Sequence, residues 1–368
     1  MKEKYTEALC KEIRLRADAK TIDTIYIGGG TPSVLDIALM RKITDAVRDS
    51  FTLKPNAEIT IEVNPGTLGD EEAEIADKLR AYREMGFNRL SMGVQTMNNG
   101  RLKFLGRIHS AEDVERDVRI AREAGFDNLN LDIIFSVPGE SSRDALEDAR
   151  KIVDLGPEHI SCYSLQIEEG TPLCSRIEEG ELTEVPDEDD RDTYHSICTF
   201  LKDSGYEHYE ISNFAKNSYR SKHNSLYWDM SEYIGCGLGS SGFTGGVRYK
   251  NISDLDLYIR ALAKGSLSDI SEEKHVNTPF DNISEAVFTG LRRTEGIGFS
   301  EAIRAYAGQV TNEGLPEDAS GHFWEIFSDA KAEAEGFAET GHLIIDEKGL
   351  RLTEKGIDIS NSIMALFV

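Results

Sequence analysis

Short segments rich in β-branched residues recur at a nearly constant interval along the first half of this chain. Five of them are predicted to be strands, at residues 23–27, 58–63, 89–94, 128–134 and 159–165. Their ends are 31 to 40 residues apart, which is about the length that one strand, one helix and two loops require. Strands that alternate with amphipathic helices are typical of a parallel sheet or barrel. The interval therefore predicts an α/β fold for this half of the chain.

Two predicted helices in this half end at the same signal. Residues 72–85 and 111–124 show helical periodicity and are followed by Gly86 and Gly125. Glycine adopts the left-handed conformation that ends a helix, and each of these glycines precedes Phe and a predicted strand. Beyond the fifth strand the pattern loosens, with a helix predicted at 187–204 and a strand at 207–212.

From about Ser271 the pattern changes to helices, predicted at residues 283–291, 300–307 and 322–335, with a last helix that reaches Phe367. Two short strands around Lys348-Gly349 are typical of the wing in a winged-helix-like module. Because a basic recognition surface is missing, we expect this module to pack against protein rather than DNA. We predict a partial barrel over 1–210, a connecting region over 211–270 and a smaller C-terminal winged-helix-like domain over 271–368.

The charge balance limits the partners of the chain. Lys and Arg number 41 against 66 Asp and Glu, which gives a net charge of −25. Such a surface repels phosphate backbones, so nucleic acid is not an expected partner. The sequence shows neither a signal-peptide pattern nor an apolar run long enough for a membrane segment, and its five scattered cysteines suit reduced thiols. We expect a cytoplasmic protein.

Polar residues and glycines follow the predicted strands. Gly28-Gly29-Gly30-Thr31-Pro32 comes directly after the first strand, but it lacks the Gly-Lys-Ser/Thr end of a phosphate-binding loop. Glu62, Gln95 and Asp132 lie at the ends of later strands, where side chains of a parallel barrel converge on one site. Arg107 can contact an acidic ligand group. The alternative is that these residues have only structural roles. The glycines would form a tight turn, Glu62 and Asp132 would cap amides of the loop backbone, and Arg107 would be solvated.

Taken in order, these motifs resemble the radical S-adenosylmethionine (radical SAM) family of oxygen-independent coproporphyrinogen III oxidase and its relatives. The motifs are Gly28-Gly29-Gly30-Thr31-Pro32-Ser33, Glu58-Ile59-Thr60-Ile61-Glu62 before Asn64-Pro65-Gly66, Asn88-Arg89-Leu90-Ser91-Met92-Gly93-Val94-Gln95, Leu105-Gly106-Arg107-Ile108-His109-Ser110, and Asp132 before Val137-Pro138-Gly139. The resemblance implies an incomplete (β/α)6 barrel. It also implies that Gly29, Gly30 and Thr31 hold the methionyl end of SAM, with Glu62, Gln95, Arg107 and Asp132 around the same pocket.

A second motif separates two branches of that family. His223-Asn224-Ser225-Leu226-Tyr227-Trp228 matches the His-Asn-x-x-Tyr-Trp signature of the haem-chaperone branch. The resemblance implies a haem site at His223, Asn224, Tyr227 and Trp228, with His223 as candidate ligand of the haem iron, and a protein that transfers haem to an acceptor protein. An imidazole can ligate iron and aromatic rings can face a porphyrin. The alternative is a buried histidine and aromatic pair that close the barrel mouth.

The chain departs from the family at one motif. Members carry a Cys-x-x-x-Cys-x-x-Cys segment whose thiolates hold a [4Fe–4S] cluster, and these ligands are absent from this sequence. We therefore expect a barrel that lacks its first βα unit. The enzyme hypothesis, oxygen-independent oxidation of coproporphyrinogen III, fails for the chain as written because it needs the cluster. A cluster-free scaffold is the third hypothesis.

Overall fold

A computed structural model describes residues 1–17, 20–308 and 315–368. Within these ranges the main sheet has seven strands in the order β1-β2-β3-β4-β5-β7-β6. The strands are β1 (Thr21–Ile27), β2 (Thr52–Val63), β3 (Arg89–Gln95), β4 (Leu129–Phe135), β5 (His159–Ser164), β6 (Glu207–Glu210) and β7 (Asn213–Ala215). Strands β1 to β5 are parallel, whereas β7 is antiparallel to both β5 and β6. The predicted strands are confirmed, and β2 begins six residues earlier than expected.

Eight α-helices of the described ranges accompany the main sheet, and those between successive parallel strands return the chain to the start of the next strand. They are α1 (Lys2–Leu15), α2 (Ile37–Ser50), α3 (Glu72–Glu84), α4 (Asn99–Phe104), α5 (Ala111–Glu123), α6 (Ser142–Asp154), α7 (Pro172–Glu178) and α8 (Asp187–Asp203). Ser110 and Ser141 begin α5 and α6 with capping boxes. Gly86 and Gly125 follow α3 and α5 with φ of 90° and 88°, as the stop signals predict. The carboxyl ends of β1 to β5 consequently share one edge.

The connecting region contains strands that the sequence did not predict. Its elements are α9 (Lys222–Trp228), β8 (Ser241–Thr244), β9 (Val247–Asn251) and α10 (Leu255–Lys264), and they are followed by β10 (Ser271–Val276). The three strands form an antiparallel sheet in the order β10-β9-β8. The expectation that helices begin at about Ser271 is wrong, because β10 is an edge strand without a buried residue and so shows no apolar alternation.

The C-terminal region combines helices with a small antiparallel sheet in the order β11-β13-β12. Its elements are α11 (Pro279–Gly290), β11 (Ile297–Gly298), α12 (Phe299–Tyr306), α13 (Ala319–Ile326), α14 (Ser328–Glu339), β12 (Leu343–Ile345), β13 (Gly349–Leu352), α15 (Glu354–Ile357) and α16 (Ser360–Met364). The two short strands are confirmed. The single helix predicted over 322–335 is wrong, since Phe327 leaves helical geometry and divides it into α13 and α14. The last helix is likewise broken at Ile359.

One hydrophobic core joins the main sheet to the C-terminal region. It includes sheet residues such as Leu131 and Ile160 together with Phe323 and Phe367 from the C-terminal helices. The C-terminal region therefore packs against the barrel instead of standing apart from it. Across the described ranges, none of the helices combines the length and the apolarity that crossing a membrane would require.

Helix α1 is held by a carboxylate that is completely buried. Glu12 accepts hydrogen bonds from the Gly237 amide at 2.8 Å, from Asn251 Nδ2 at 2.7 Å and from the Tyr258 hydroxyl at 2.5 Å. Arg16 Nε lies 2.7 Å from the same carboxylate. A buried carboxylate is costly unless its oxygens are paired, and here one ion pair and three donors satisfy it. This network fixes α1 against the connecting region.

Replacing Glu12 with alanine removes the common acceptor of this network. We expect Glu12→Ala to lower the free energy of unfolding by about 3 kcal/mol, because Arg16 and the buried donors lose their shared acceptor. Urea unfolding followed by circular dichroism measures the change. Glu7→Ala is the matched control, since Glu7 is exposed on the same helix. Equal losses in the two variants would contradict the role given to the network.

Candidate functional site

A polar pocket of about 300 Å³ lies at the carboxyl ends of the parallel strands. Six of the seven residues predicted for SAM line it, namely Gly30, Thr31, Glu62, Gln95, Arg107 and Asp132. The strand register explains the grouping, because Glu62 pairs with Ser91 on the next strand and Gly93 pairs with Asp132. Side chains from separate parts of the sequence consequently face one volume.

The glycine turn after β1 is built around the Glu62 carboxylate. Its two oxygens accept hydrogen bonds from the Tyr26 hydroxyl at 2.7 Å and from the Gly29 amide at 3.0 Å. A Cβ atom on Gly28 would lie 2.6 Å from the Glu62 carboxyl carbon, so a side chain has no room there. Gly29 has a φ of 81°, whereas the space above Gly29 and Gly30 is open within 4 Å. The turn can therefore admit a ligand close to its backbone.

Asn64, Ser91 and Gly93 also line the pocket and were missed as site residues. A Cβ atom on Gly93 would lie 2.5 Å from Asn64 Oδ1 and 2.8 Å from Gln95 Nε2, so glycine lets both amides approach the strand. Asn64 Nδ2 donates to Thr31 Oγ1 at 3.1 Å, which ties two strand ends together. The available signal for Ser91 and Gly93 was the alternation along β3, which places them on one face, whereas Gln95 follows a shift in the register of the strand.

Arg107 and Asp132 bring opposite charges to the pocket. Burial raises the pKa of Asp132, whose carboxylate accepts a hydrogen bond from Asn130 Nδ2 at 2.7 Å. Burial lowers the pKa of the Arg107 guanidinium, while the charge of Asp132 acts in the opposite direction. Arg107 Nε is buried and lacks an acceptor within the described chain. The pocket thus offers a guanidinium donor and a carboxylate acceptor to a ligand that carries both charges.

A larger cleft of about 720 Å³ runs along β1, the edge strand of the main sheet. Leu9, Ile22 and Leu226 contribute apolar walls, while His223 and Tyr227 lie at its α9 side. Gly30 and Thr31 line both the cleft and the polar pocket, so the two volumes adjoin at the glycine turn. Ligand sites commonly have volumes of about 300–1,000 Å³ and mostly apolar walls.

The His223 imidazole is enclosed by three side chains. Its Nδ1 lies 2.8 Å from Thr24 Oγ1, and its Nε2 lies 2.9 Å from the Tyr227 hydroxyl. The Tyr26 ring stacks on it with a centroid distance of 4.9 Å. Burial, assisted by the positive charge of Arg89, lowers the pKa of His223 to about 4. The imidazole is therefore neutral near pH 7.

Helix α9 is attached to the sheet through Glu58. The carboxylate of this buried residue accepts the Lys222 amide at 3.1 Å and the His223 amide at 3.0 Å. Glu58 pairs in register with Thr24 of β1, so the two side chains meet the same end of the helix. Negative charge is favourable at a helix N-terminus. None of Thr24, Tyr26 and Glu58 was predicted as part of the site, although they share strand faces with one another and with Glu62.

The structure brings only part of the His-Asn-x-x-Tyr-Trp motif, residues 223–228, to the cleft. His223 and Tyr227 are one helical turn apart and line it, whereas Asn224 and Trp228 do not. The Trp228 ring instead lies under the Arg292 guanidinium, whose central carbon is 4.6 Å from the ring centroid. Trp228 therefore contacts the C-terminal region. The Asn224 backbone amide donates to Ser221 Oγ, the N-cap of α9.

The cysteines do not form a cluster site. All five are free thiols, and the residues with described positions contain no group of three His, Cys, Asp or Glu side chains placed to hold a metal ion. A [4Fe–4S] cluster held by thiolates thus does not fit the residues described in this structure.

Comparisons with known proteins agree with this architecture. The structure of the Escherichia coli coproporphyrinogen III oxidase HemN, a radical SAM enzyme, superposes with a TM-score of 0.81 over 100% of this chain and 83% of that one, at 23% identity. Residues 1–152 match the Radical SAM superfamily. The fold is therefore an α/β partial barrel of the radical SAM class.

Two relatives are similar over nearly the whole chain. The heme chaperone HemW of Lactococcus lactis is 33% identical over 365 residues, which cover 99% of this chain and 89% of the relative. Heme chaperone HemW of Bacillus subtilis is 32% identical over 373 residues, covering 100% and 91%. The chain belongs to the HemW family within the radical SAM superfamily.

The attachment of α9 to β2 is open to a direct test. In Glu58→Ala the amides of Lys222 and His223 lose a carboxylate acceptor, and a hydrogen bond to a charged group contributes about 1.5–3 kcal/mol. We expect hydrogen exchange at these two amides to accelerate at least about ten-fold. Glu115→Ala, at an exposed position on α5, serves as the control. Unchanged exchange in Glu58→Ala would show that the helix is held by other contacts.

Proposed function

We propose that this protein is a haem chaperone, which binds haem in the cleft along β1 and transfers it to an acceptor protein. The observation that carries the proposal is the position of His223 and Tyr227 at an apolar cleft of about 720 Å³. Membership in a family whose relatives are named heme chaperones supports it.

His223 is the residue that we assign to the haem iron. A neutral imidazole is the form that ligates iron, and burial keeps His223 neutral. Tyr26, Tyr227 and Tyr233 line the same cleft and provide aromatic surface for a porphyrin. Within this proposal Trp228 anchors α9 through Arg292, and Asn224 belongs to the first turn of that helix.

The polar pocket is the place that we assign to SAM. Its residues fit this group, because open space above Gly29 and Gly30 admits a ligand, and Arg107 carries a buried Nε without an acceptor in the described residues. Arg107 would bind the carboxylate of the methionyl end, Asp132 and Glu62 would face its ammonium, and Gln95 and Thr31 would complete the polar wall. SAM bound to a reduced cluster supplies a 5′-deoxyadenosyl radical. Because the described residues do not fit a cluster, we derive no radical step.

The remaining expectations stay predictions. They comprise the division into 1–210, 211–270 and 271–368, the winged-helix-like character of the C-terminal region, the missing first βα unit and the cytoplasmic location. Oxidation of coproporphyrinogen III, the enzyme alternative, would require the cluster, and a cluster-free scaffold would bind neither haem nor SAM. Haem binding by the purified chain separates the chaperone from the scaffold.

Haem titration tests the proposed function directly. We expect the purified chain to shift the haem Soret band, and His223→Ala to weaken haem affinity at least about ten-fold because the iron loses its ligand. His275→Ala is the matched control, since His275 is exposed and lies outside the cleft. Transfer is then followed as loss of haem from the loaded chain to apomyoglobin, used as a haem sink. The absence of a Soret shift in the unsubstituted chain would refute the proposal.

SAM binding is tested independently by titration calorimetry. We expect Arg107→Gln to weaken SAM binding at least about ten-fold, because the charged contact to the methionyl carboxylate is lost. Arg80→Gln provides the comparison at an exposed arginine on α3. If the unsubstituted chain bound no SAM, or if both variants bound it equally, the assignment of the polar pocket would be wrong.

A further inference from the structure

We propose that Tyr227 is a gate on His223: its hydroxyl occupies the nitrogen that haem iron would bind, and Thr24 holds the other nitrogen so that the ring is ready to ligate. This inference rests on the proposed haem function and concerns how the same site takes up its cargo. It adds Thr24 as a positioning residue and gives Tyr227 a role other than contact with the porphyrin.

Both nitrogens of the His223 imidazole lie within hydrogen-bond distance of a hydroxyl group. A neutral imidazole has one N–H donor and one lone pair. In this structure both nitrogens have a hydroxyl neighbour, Thr24 Oγ1 at 2.8 Å from Nδ1 and the Tyr227 hydroxyl at 2.9 Å from Nε2. In the conformation described, the lone pair of His223 is thus already engaged. Iron can bind only after one of these contacts breaks.

The surroundings of the ring decide which contact breaks. Nδ1 faces Thr24 on strand β1, which is paired along β2. One face of the imidazole is covered by the Tyr26 ring, stacked at an interplanar angle of 22°. Nε2 instead faces the end of a tyrosine side chain on the same helix, which also lines the cleft. Thr24 also lines the cleft, but its β-branched side chain is stiff at χ1 and its hydroxyl lies next to the backbone of β1. The Tyr227 hydroxyl is instead at the end of a longer side chain, and rotation of that side chain exposes Nε2 to the cleft.

This assignment also selects the tautomer. With the lone pair on Nε2, the Tyr227 hydroxyl donates to Nε2, and the proton on Nδ1 is donated to Thr24 Oγ1. Histidines that ligate metals generally donate their other N–H to a fixed acceptor, which orients the ring. On haem uptake the hydrogen bond from Tyr227 breaks and a bond from Nε2 to iron forms. No proton or electron is transferred.

A gate of this kind lowers the affinity for haem while it keeps His223 available as the iron ligand. The apparent affinity for haem is reduced by the fraction of molecules in which Tyr227 has left Nε2. A net hydrogen bond of about 1 kcal/mol corresponds to about a five-fold effect. The displaced hydroxyl can also return to Nε2 when haem leaves. A moderate overall affinity suits a protein that must hand its cargo on.

The test uses substitutions with opposite expected effects. We expect Tyr227→Phe to bind haem about five-fold more tightly through a faster association rate, with the Soret position unchanged because the iron ligand is the same. We expect Thr24→Val to bind haem about ten-fold more weakly, because valine cannot accept a hydrogen bond from Nδ1–H. Thr24→Ser keeps a hydroxyl, and we expect its haem affinity to lie within about two-fold of that of the unsubstituted chain. Tyr219→Phe is the control, since Tyr219 lies outside the cleft.

Each outcome either supports or overturns the gate. Unchanged or weaker haem binding in Tyr227→Phe, with a normal melting temperature, overturns it, and so does equal binding by Thr24→Val and Thr24→Ser. If Tyr227→Phe did not fold, Tyr227→Leu would take its place with the same expected result, since leucine also lacks the hydroxyl that contacts Nε2. Failure of the proposed function is distinguishable, because the unsubstituted chain would then show no Soret shift. Failure of the His223 assignment is distinguishable as well, because His223→Ala would then bind haem as the unsubstituted chain does. Loss of binding in His223→Ala without a gain in Tyr227→Phe rejects the gate alone.

Discussion

Both cavities depend on the contacts of one carboxylate. Glu62 accepts the Gly29 amide, which shapes the glycine turn, and the Tyr26 hydroxyl, which fixes the ring that stacks on His223. Hydrogen bonds to a charged acceptor are stronger than neutral ones, and these two hold the glycine turn after β1 and a ring within β1. The polar pocket and the cleft therefore share Glu62 as a common support.

The buried side chain of Arg89 adds a positive charge to the interior of the partial barrel. Arg89 is only 2% exposed, and among the residues described here its side chain forms neither a hydrogen bond nor an ion pair. Its charge contributes to lowering the pKa of His223 and of His159, after burial itself, and it opposes the rise in the pKa of Asp132. The interior of the partial barrel thus disfavours protonated histidine. This is the electrostatic state that a neutral nitrogen ligand requires.

The sequence predicted the framework better than the contacts. Strand spacing and helix stop signals identified the parallel sheet, and the strand ends identified the residues that face one pocket, because both follow from local periodicity. Thr24 was missed because its contact with His223 spans 199 residues, which local patterns cannot show. Strand β10 was missed because it has no buried face and therefore no apolar alternation. The break between α13 and α14 was missed because it occurs where Phe327 packs against Phe323 and Phe367, which is a tertiary contact. Trp228 turned away from the cleft because residues 223 and 228 are not on the same helical face.

The crowding at Gly28 has a consequence for how this family can vary. A methyl group there would meet the Glu62 carboxyl carbon at 2.6 Å and the Tyr26 ring at 2.5 Å. The two positions are coupled, so the cost of substituting one depends on which residue occupies the other. A side chain at position 28 therefore requires that both the acidic side chain and the tyrosine ring opposite it change or shift, and restoring both would again favour glycine. The order of substitutions, and not only their identity, is thereby constrained at this turn.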